Sequence, residues 1–131
     1  MKNKFRASWK SSRQPRKQRK YVAKAPLHLK KKFVNANLSK ELRKKYGRRN
    51  IPLRKGDTVR VMVGKSKGKK GKITKVLLDI SKIIVEGIQI KKKDGSKIDV
   101  KIDPSNLQIL ELNLDDKKRI KSKGKEETKE K

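Results

Sequence analysis

Residues 56–76, GDTVRVMVGKSKGKKGKITKV, decide the fold of this chain. Val59, Val61 and Val63 occupy every second position, which is the period of a half-buried strand. The glycine-rich stretch 64–71 then predicts a turn, and residues 73–78 predict a second strand. This segment therefore indicates two antiparallel strands joined by a basic, glycine-rich loop.

Three further short strands follow along the chain. Residues 83–90 and 98–102 are rich in isoleucine and valine and flank Asp94-Gly95, and residues 107–112 form the last strand. An Asp-Gly pair between such segments predicts a type I′ turn, which needs positive φ at both residues. Five strands within residues 58–112, without helical periodicity, predict a small β-barrel. An open, curled sheet is the alternative.

Charge divides the chain into three parts. The 131 residues carry 42 basic and 13 acidic side chains, a net charge of +29. Residues 1–50 hold 19 basic side chains and one acidic one, residues 51–110 hold 15 and 6, and residues 111–131 hold 8 and 6. We therefore predict a basic N-terminal extension over 1–50, a barrel over 51–112 and a mixed-charge tail over 113–131.

The basic excess points to a polyanionic partner. Nucleic acid is favoured over a membrane, because the apolar runs are far shorter than the ~20 residues that a bilayer-spanning helix needs. The sparse apolar side chains of the extension cannot offset the entropy of ordering it. We therefore expect the extension to order on its nucleic acid.

Two short helices are predicted in the extension. Residues 11–20 form one, with Pro15 near its start. Ser39 is the N-cap of the other and Gly47 its C-terminal stop. An apolar stripe for docking on the barrel is formed by Leu38, Leu42 and Tyr46.

No pattern indicates an enzyme, a metal site or a cofactor. The chain has no cysteine, and its one histidine, His28, has no carboxylate near it in sequence. The glycine-rich loop is not a P-loop, because Lys69 and Ile73 break the required spacing. Trp9 and Tyr21 have two open roles, stacking on bases or docking against a partner surface.

The loop and its flanks resemble a known family. Gly56-Asp57-Thr58-Val59-Arg60-Val61, with the later glycines and Lys72-Ile73, is similar to a KOW motif. The flanking matches include Ala25-Pro26-Leu27-His28, Ser39-Lys40-Glu41-Leu42 and Asp103-Pro104-Ser105-Asn106-Leu107. Together, over about residues 11–119, they resemble the archaeal and eukaryotic branch of the large-subunit ribosomal protein numbered twenty-four in the universal scheme. Gly56 and the short tail suit the archaeal form.

The resemblance implies a mainly β fold, an SH3-like five-stranded barrel with a partly helical extension. It implies a structural, ribosome-bound protein of the cytoplasm that binds the 5′ domain of large-subunit rRNA. It also implies early action in subunit assembly, a position near the nascent-chain exit and neighbouring ribosomal proteins as partners, with no membrane and no homo-oligomer. The implied RNA-binding residues are Lys65, Lys67, Gly68, Lys69 and Lys70 in the loop, and Arg13, Arg16, Lys17, Arg19, Lys20, His28, Arg48 and Arg49 in the extension.

Two other binding functions remain open on the residues alone. A DNA- or chromatin-binding SH3-like architectural protein has a compatible composition. A fragment of a KOW transcription factor is less consistent, because the chain has no additional α/β domain.

Overall fold

The computed structural model describes residues 5, 9 and 11–120. Its helices are α1 (Pro15–Lys24), α2 (Leu27–Phe33) and α3 (Lys40–Tyr46), with a 3₁₀ turn at Pro104–Asn106. Its strands are β1 (Asn35–Leu38), β2 (Asn50–Pro52), β3 (Thr58–Val61), β4 (Lys70–Leu77), β5 (Lys82–Lys91), β6 (Lys97–Ile102) and β7 (Leu107–Glu111). The fold is mainly β, as predicted.

The strands form one sheet in the order β2-β1-β7-β3-β4-β5-β6. Neighbours are antiparallel except β1 and β7, which run parallel. The five predicted strands correspond to β3–β7, but the prediction of a closed barrel is wrong. Among the described residues, β2 and β6 stand at opposite ends of the order, so the sheet is open, in agreement with the alternative.

The sheet has seven strands because β1 comes from the predicted extension and β2 crosses the predicted boundary at residue 50. Ala36 pairs with Ile51, and Leu38 pairs with Ile109. Val34, Ala36 and Leu38 alternate and are buried in the same core as the inward residues of β3–β7. Leu38 therefore lies in β1, and the prediction that it starts a helical stripe is wrong. The pairings with β2 and β7 are long-range, so local periodicity does not reveal them, and they favour a strand over a helix at this position.

The core is formed by the inward positions of the strands. Val59 and Val61 are buried as their alternation predicts, together with Ile73, Leu107 and Ile109. Val63 does not continue the series and is 60% exposed, because the chain leaves β3 at Val61 and enters the loop.

β4 and β5 approach each other very closely at Gly71. A Cβ at this position would lie 2.6 Å from the carbonyl oxygen of Glu86 and 2.8 Å from Cγ1 of Val85. The first residues of β4 pair with β3, and the later ones pair with β5. Only glycine allows β4 to serve both neighbours without a steric clash.

The connection between β5 and β6 differs from the prediction. Gly95 has a φ of +91°, but Asp94 does not adopt positive φ, so the turn is not type I′. The N–H of Gly95 donates to the carbonyl of Lys92 at 3.1 Å, and that of Lys92 donates to the carbonyl of Ser96 at 2.8 Å. This is a three-residue loop with glycine in the left-handed position. The hydroxyl and backbone N–H of Ser96 hold the pKa of Asp94 below its ordinary value.

Local helix signals in the extension are largely confirmed. Oγ of Ser39 accepts from the N–H of Leu42 at 3.4 Å, and Gly47 ends α3 with a φ of +63°. Pro15 occupies the start of α1, but the helix runs to Lys24, so the predicted bounds of 11–20 are too early. α2 was not predicted; its only strong sequence signal is Pro26 immediately before it.

Candidate nucleic-acid interface

The glycine-rich loop is built from two successive turns. The N–H of Lys67 donates to the carbonyl of Gly64, and that of Lys69 donates to Ser66, both at 3.1 Å. Reciprocal bonds close its base: the N–H of Gly68 reaches the carbonyl of Val61 at 2.8 Å, and the N–H of Val61 reaches Lys69 at 2.9 Å. The loop is therefore fixed directly to a buried strand.

Positive φ at two glycines makes these turns possible. Gly64 has a φ of +96° and Gly68 a φ of +85°, a backbone region that residues with a Cβ rarely adopt. The N–H of Met62 also donates to the carbonyl of Asn106 at 2.8 Å, which ties the loop to the 3₁₀ turn. The backbone at the tip is thus held in one shape before any ligand binds.

Four lysines project from this fixed loop. Lys65, Lys67, Lys69 and Lys70 are all exposed, so their ammonium groups are available to a polyanion. Water solvates these exposed charges, so the lysines need no partner within the protein. A rigid backbone also reduces the conformational entropy that is lost when they bind phosphates. The structure therefore places all four predicted lysines in exposed positions, three in the loop and Lys70 at the start of β4.

The basic surface continues onto the sheet, which sequence reasoning missed. Lys70 stands opposite Arg60, and Lys72 stands opposite Thr58, in the β3–β4 ladder. Residues that face each other across an antiparallel pair share one side of the sheet. Arg60 is oriented by Gln108, whose Oε1 accepts from its Nη2 at 3.1 Å. The polar positions of the alternating strand were the signal that could have identified this surface.

The predicted residues of the extension fall into three places. Arg13 precedes α1 and His28 lies in α2, and both are exposed. The segment between α3 and β2 contains Arg49, which is exposed, and Arg48, which is half-buried and has interactions of its own. The remaining members are exposed side chains of α1: Arg16, Lys17, Arg19 and Lys20.

Four aromatic residues of the extension contact one another. The ring centroids of Trp9 and Tyr21 lie 4.3 Å apart with 25° between their planes, a stacked pair. Phe5 approaches Tyr21 at 5.0 Å, and Phe33 approaches it from α2 at 6.2 Å, both tilted. We name Phe5, Trp9, Tyr21 and Phe33 the aromatic cluster. The cluster places α1 against α2, and its rings pack on one another within an otherwise polar extension.

A buried ion pair organises the strand that leads into the loop. Asp57 is fully buried directly before β3, and the side chain of Arg119 is 2% exposed. Nη1 of Arg119 donates to Oδ1 of Asp57 at 2.6 Å, and Nη2 donates to Oδ2 at 2.5 Å. The N–H groups of Arg54 and Asn113 complete the carboxylate at 2.9 Å each. Sequence reasoning did not find this pair, because its members are 62 residues apart.

The described part of the chain offers little to catalysis or metal binding. Within residues 5, 9 and 11–120, no group of three histidine, cysteine or carboxylate side chains is placed to hold a metal ion. In the same residues, no helix is both long and apolar enough to cross a bilayer. The assembled features are cationic loops, a basic helix and exposed strand positions.

A comparison with protein-family models identifies the family. Residues 12–123 match the model of the ribosomal proteins designated L26 in eukaryotes and L24 in archaea. The chain belongs to this family. It is therefore a structural protein of the large ribosomal subunit, which acts in translation, and it is not an enzyme. The match contains the loop, all three helices and the buried Asp57–Arg119 pair.

Proposed function

We propose that this large-subunit ribosomal protein binds rRNA through the loop at 64–71 and the basic helix α1. The observation that carries the proposal is the set of four exposed lysines on a loop whose backbone is fixed at its base. Lysines on such a loop bind phosphates as point charges, and the glycines let the RNA backbone approach closely.

The mechanism rests on counterion release and on the shape of folded RNA. Each lysine or arginine that neutralises a phosphate releases condensed cations, which favours binding at low salt. The groove pattern of an RNA helix gives proteins little base information, so recognition depends on phosphate positions and unpaired segments. Arg13, Arg16, Lys17, Arg19, Lys20, His28, Arg48 and Arg49 are the extension residues that we propose contact RNA.

In this proposal the sheet is a rigid anchor, and α1 adjusts its position to the RNA. We propose that β3–β7 form an SH3-like KOW unit within residues 51–112, and that residues 1–50 and 113–131 act as its extension and tail. No residue of α1 is fully buried, so its position is expected to become fixed when RNA neutralises its charge.

The family resemblance supports finer proposals about place and timing. We propose that the rRNA partner is the 5′ domain, that the protein acts early in subunit assembly and that it lies near the nascent-chain exit. Neighbouring ribosomal proteins would then complete its surroundings on cytoplasmic ribosomes. Gly56 before Asp57 favours an archaeal form of the protein.

Sedimentation of a native extract tests this function. The protein is expected to migrate with large subunits and to be released only by high salt, because its contacts are mainly electrostatic. DNA or chromatin binding is the second candidate, supported by the same net charge of +29. Recovery with the nucleoid, together with equal affinity for duplex DNA and rRNA, would favour that candidate.

A further inference from the structure

A groove lies beside the aromatic cluster and is lined by both rings and lysines. Its volume is about 540 Å³, within the range of about 300–1,000 Å³ that is typical of sites for small organic groups. The residues of the groove that carry the argument are Phe5, Trp9, Tyr21, Lys17, Lys20 and Lys24.

The spacing along α1 places these groups on one side of the helix. Lys17, Lys20, Tyr21 and Lys24 are three, four and seven residues apart, so their side chains emerge from the same face. At 1.5 Å per residue, the outer two lysines are about 10 Å apart along the axis, with the Tyr21 ring between them. Cationic groups therefore flank an aromatic surface on both sides.

Ser12, which also lines the groove, is hydrogen-bonded to the residues at the start of α1. Nε2 of Gln18 donates to the carbonyl of Ser12 at 2.7 Å, and the N–H of Gln14 donates to Oγ of Ser12 at 3.3 Å. Phe5, Trp9 and Tyr21 are only half-buried, so the cluster keeps ring surface accessible. The groove thus has an apolar floor of aromatic rings and a cationic rim of lysines.

We propose that this groove holds one unpaired nucleotide of the rRNA, with its base against the aromatic cluster and its phosphates on the lysines. A base supplies the π-face that aromatic side chains stack against, and its backbone supplies the charge that three lysines require. A peptide partner would satisfy the rings but would leave the lysines without compensation unless it were acidic. This inference rests on the proposed rRNA binding and adds a site for a single-stranded segment.

The fluorescence of Trp9 tests the inference directly, because it is the only tryptophan of the chain. The full-length protein is titrated with a short single-stranded oligoadenylate, with a duplex RNA of equal length and with tripolyphosphate. We expect the single strand to quench Trp9 emission, and the duplex and tripolyphosphate to have little effect at equal occupancy. Equal quenching by tripolyphosphate would overturn the inference, because charge alone would then explain the signal.

A pair of variants on one helix separates stacking from charge. Tyr21→Leu removes the central ring, whereas Val22→Ala changes an exposed neighbour outside the groove. Loss of one stacked base is expected to weaken oligoadenylate binding roughly 5- to 150-fold in Tyr21→Leu, and Val22→Ala is expected to bind like the parent. Circular dichroism checks that α1 is retained in both.

The outcome distinguishes this site from the broader function. If the parent protein saturates with rRNA in a filter-binding assay while Trp9 emission stays constant, rRNA binding stands and the nucleotide site is wrong. The groove would then face another partner, such as an acidic segment of a neighbouring protein. If the parent protein does not bind rRNA at all, the proposed function fails, and the nucleotide site on rRNA fails with it.

Discussion

Arg119 and Asp57 form a buried, bidentate ion pair at the start of β3. Both guanidinium Nη atoms contact the carboxylate, and they also donate to the carbonyls of Asn113 at 2.7 Å and Pro52 at 3.1 Å. The pair therefore joins the end of β2, the start of β3 and the segment after β7. Asp57 directly precedes β3 and the basic loop follows the other end of that strand, so the ion pair anchors the start of the strand that leads into the loop.

Replacing Arg119 by methionine should strongly destabilise the protein. The buried carboxylate of Asp57 would lose its counter-charge, and such a loss costs about 3–5 kcal/mol in the free energy of unfolding. Urea denaturation of Arg119→Met and of its exposed neighbour variant Lys118→Met provides the comparison. Equal stability of the two variants would show that the ion pair does not hold the fold together.

Gly71→Ala should disrupt the junction between β4 and β5. The new methyl group would contact the backbone of Glu86 at 2.6 Å, so one of the two strands must move. We expect a loss of roughly 1–3 kcal/mol in the free energy of unfolding, as for an overfilled core. Lys72→Ala, at the next and exposed position of the strand, is the control. A Gly71→Ala protein as stable as this control would refute the close approach.

Removing the loop charges should weaken RNA binding without changing the fold. In the loop variant, Lys65, Lys67, Lys69 and Lys70 are replaced by alanine. The slope of log Kd against log salt concentration should then decrease by about one per lysine, or about four in total. The comparison variant replaces four exposed lysines of the β5–β6 hairpin, which gives the same change in net charge. Its side chains are Lys91, Lys92, Lys93 and Lys97.

The loop assignment depends on the difference between these two variants. Native circular dichroism in both, with a smaller salt slope for the loop variant alone, is the expected result. An equal reduction in the two slopes would show that net charge controls the affinity, and that the loop is not a distinct site.

Asp116 should make stability depend on pH in the acidic range. Nη1 of Arg54 donates to its carboxylate at 2.8 Å, and this bond, with the N–H of Lys118, holds the pKa of Asp116 below its ordinary value. The unfolded chain, with an aspartate pKa of about 3.9, therefore binds the proton more readily than the folded one. The stabilisation is complete above that pH and is lost as the pH falls through the lower folded pKa.

The variant Asp116→Asn isolates this effect. Thermal melts of the parent and of this variant should differ by a constant amount near neutral pH, and the difference should shrink as the pH falls below about 4. Asp115→Asn changes the adjacent, exposed carboxylate and serves as the control. A parent–Asp116→Asn difference that is independent of pH would contradict the Arg54–Asp116 contact.

Local signals predicted several elements of the fold correctly. Ser39 and Gly47 set the limits of α3, because an N-cap and a left-handed C-cap depend on residues within one helical turn. The alternation of Val59 and Val61 likewise places them in the core. The loop itself could be predicted because its glycines and lysines lie within eight consecutive residues, whereas the RNA-binding role of its lysines stays a prediction.

The features that were missed depend on distant partners. Local sequence does not distinguish residues 34–38 from the rest of the N-terminal extension. They form a strand only because Ile51 and Ile109 pair with them. Arg119 lies in a run of basic residues, and nothing local distinguishes it from its exposed neighbours. The same limit applies to the groove at α1, where rings distant in sequence meet.

The salt dependence of rRNA binding tests the central claim most directly. The affinity of the full-length protein for the 5′ domain of large-subunit rRNA is measured between 50 and 200 mM salt. With contacts to about 6–10 phosphates, the affinity is predicted to fall roughly 10³- to 10⁵-fold over this range. An affinity that stays constant would contradict an interface built on lysine and arginine contacts to phosphate.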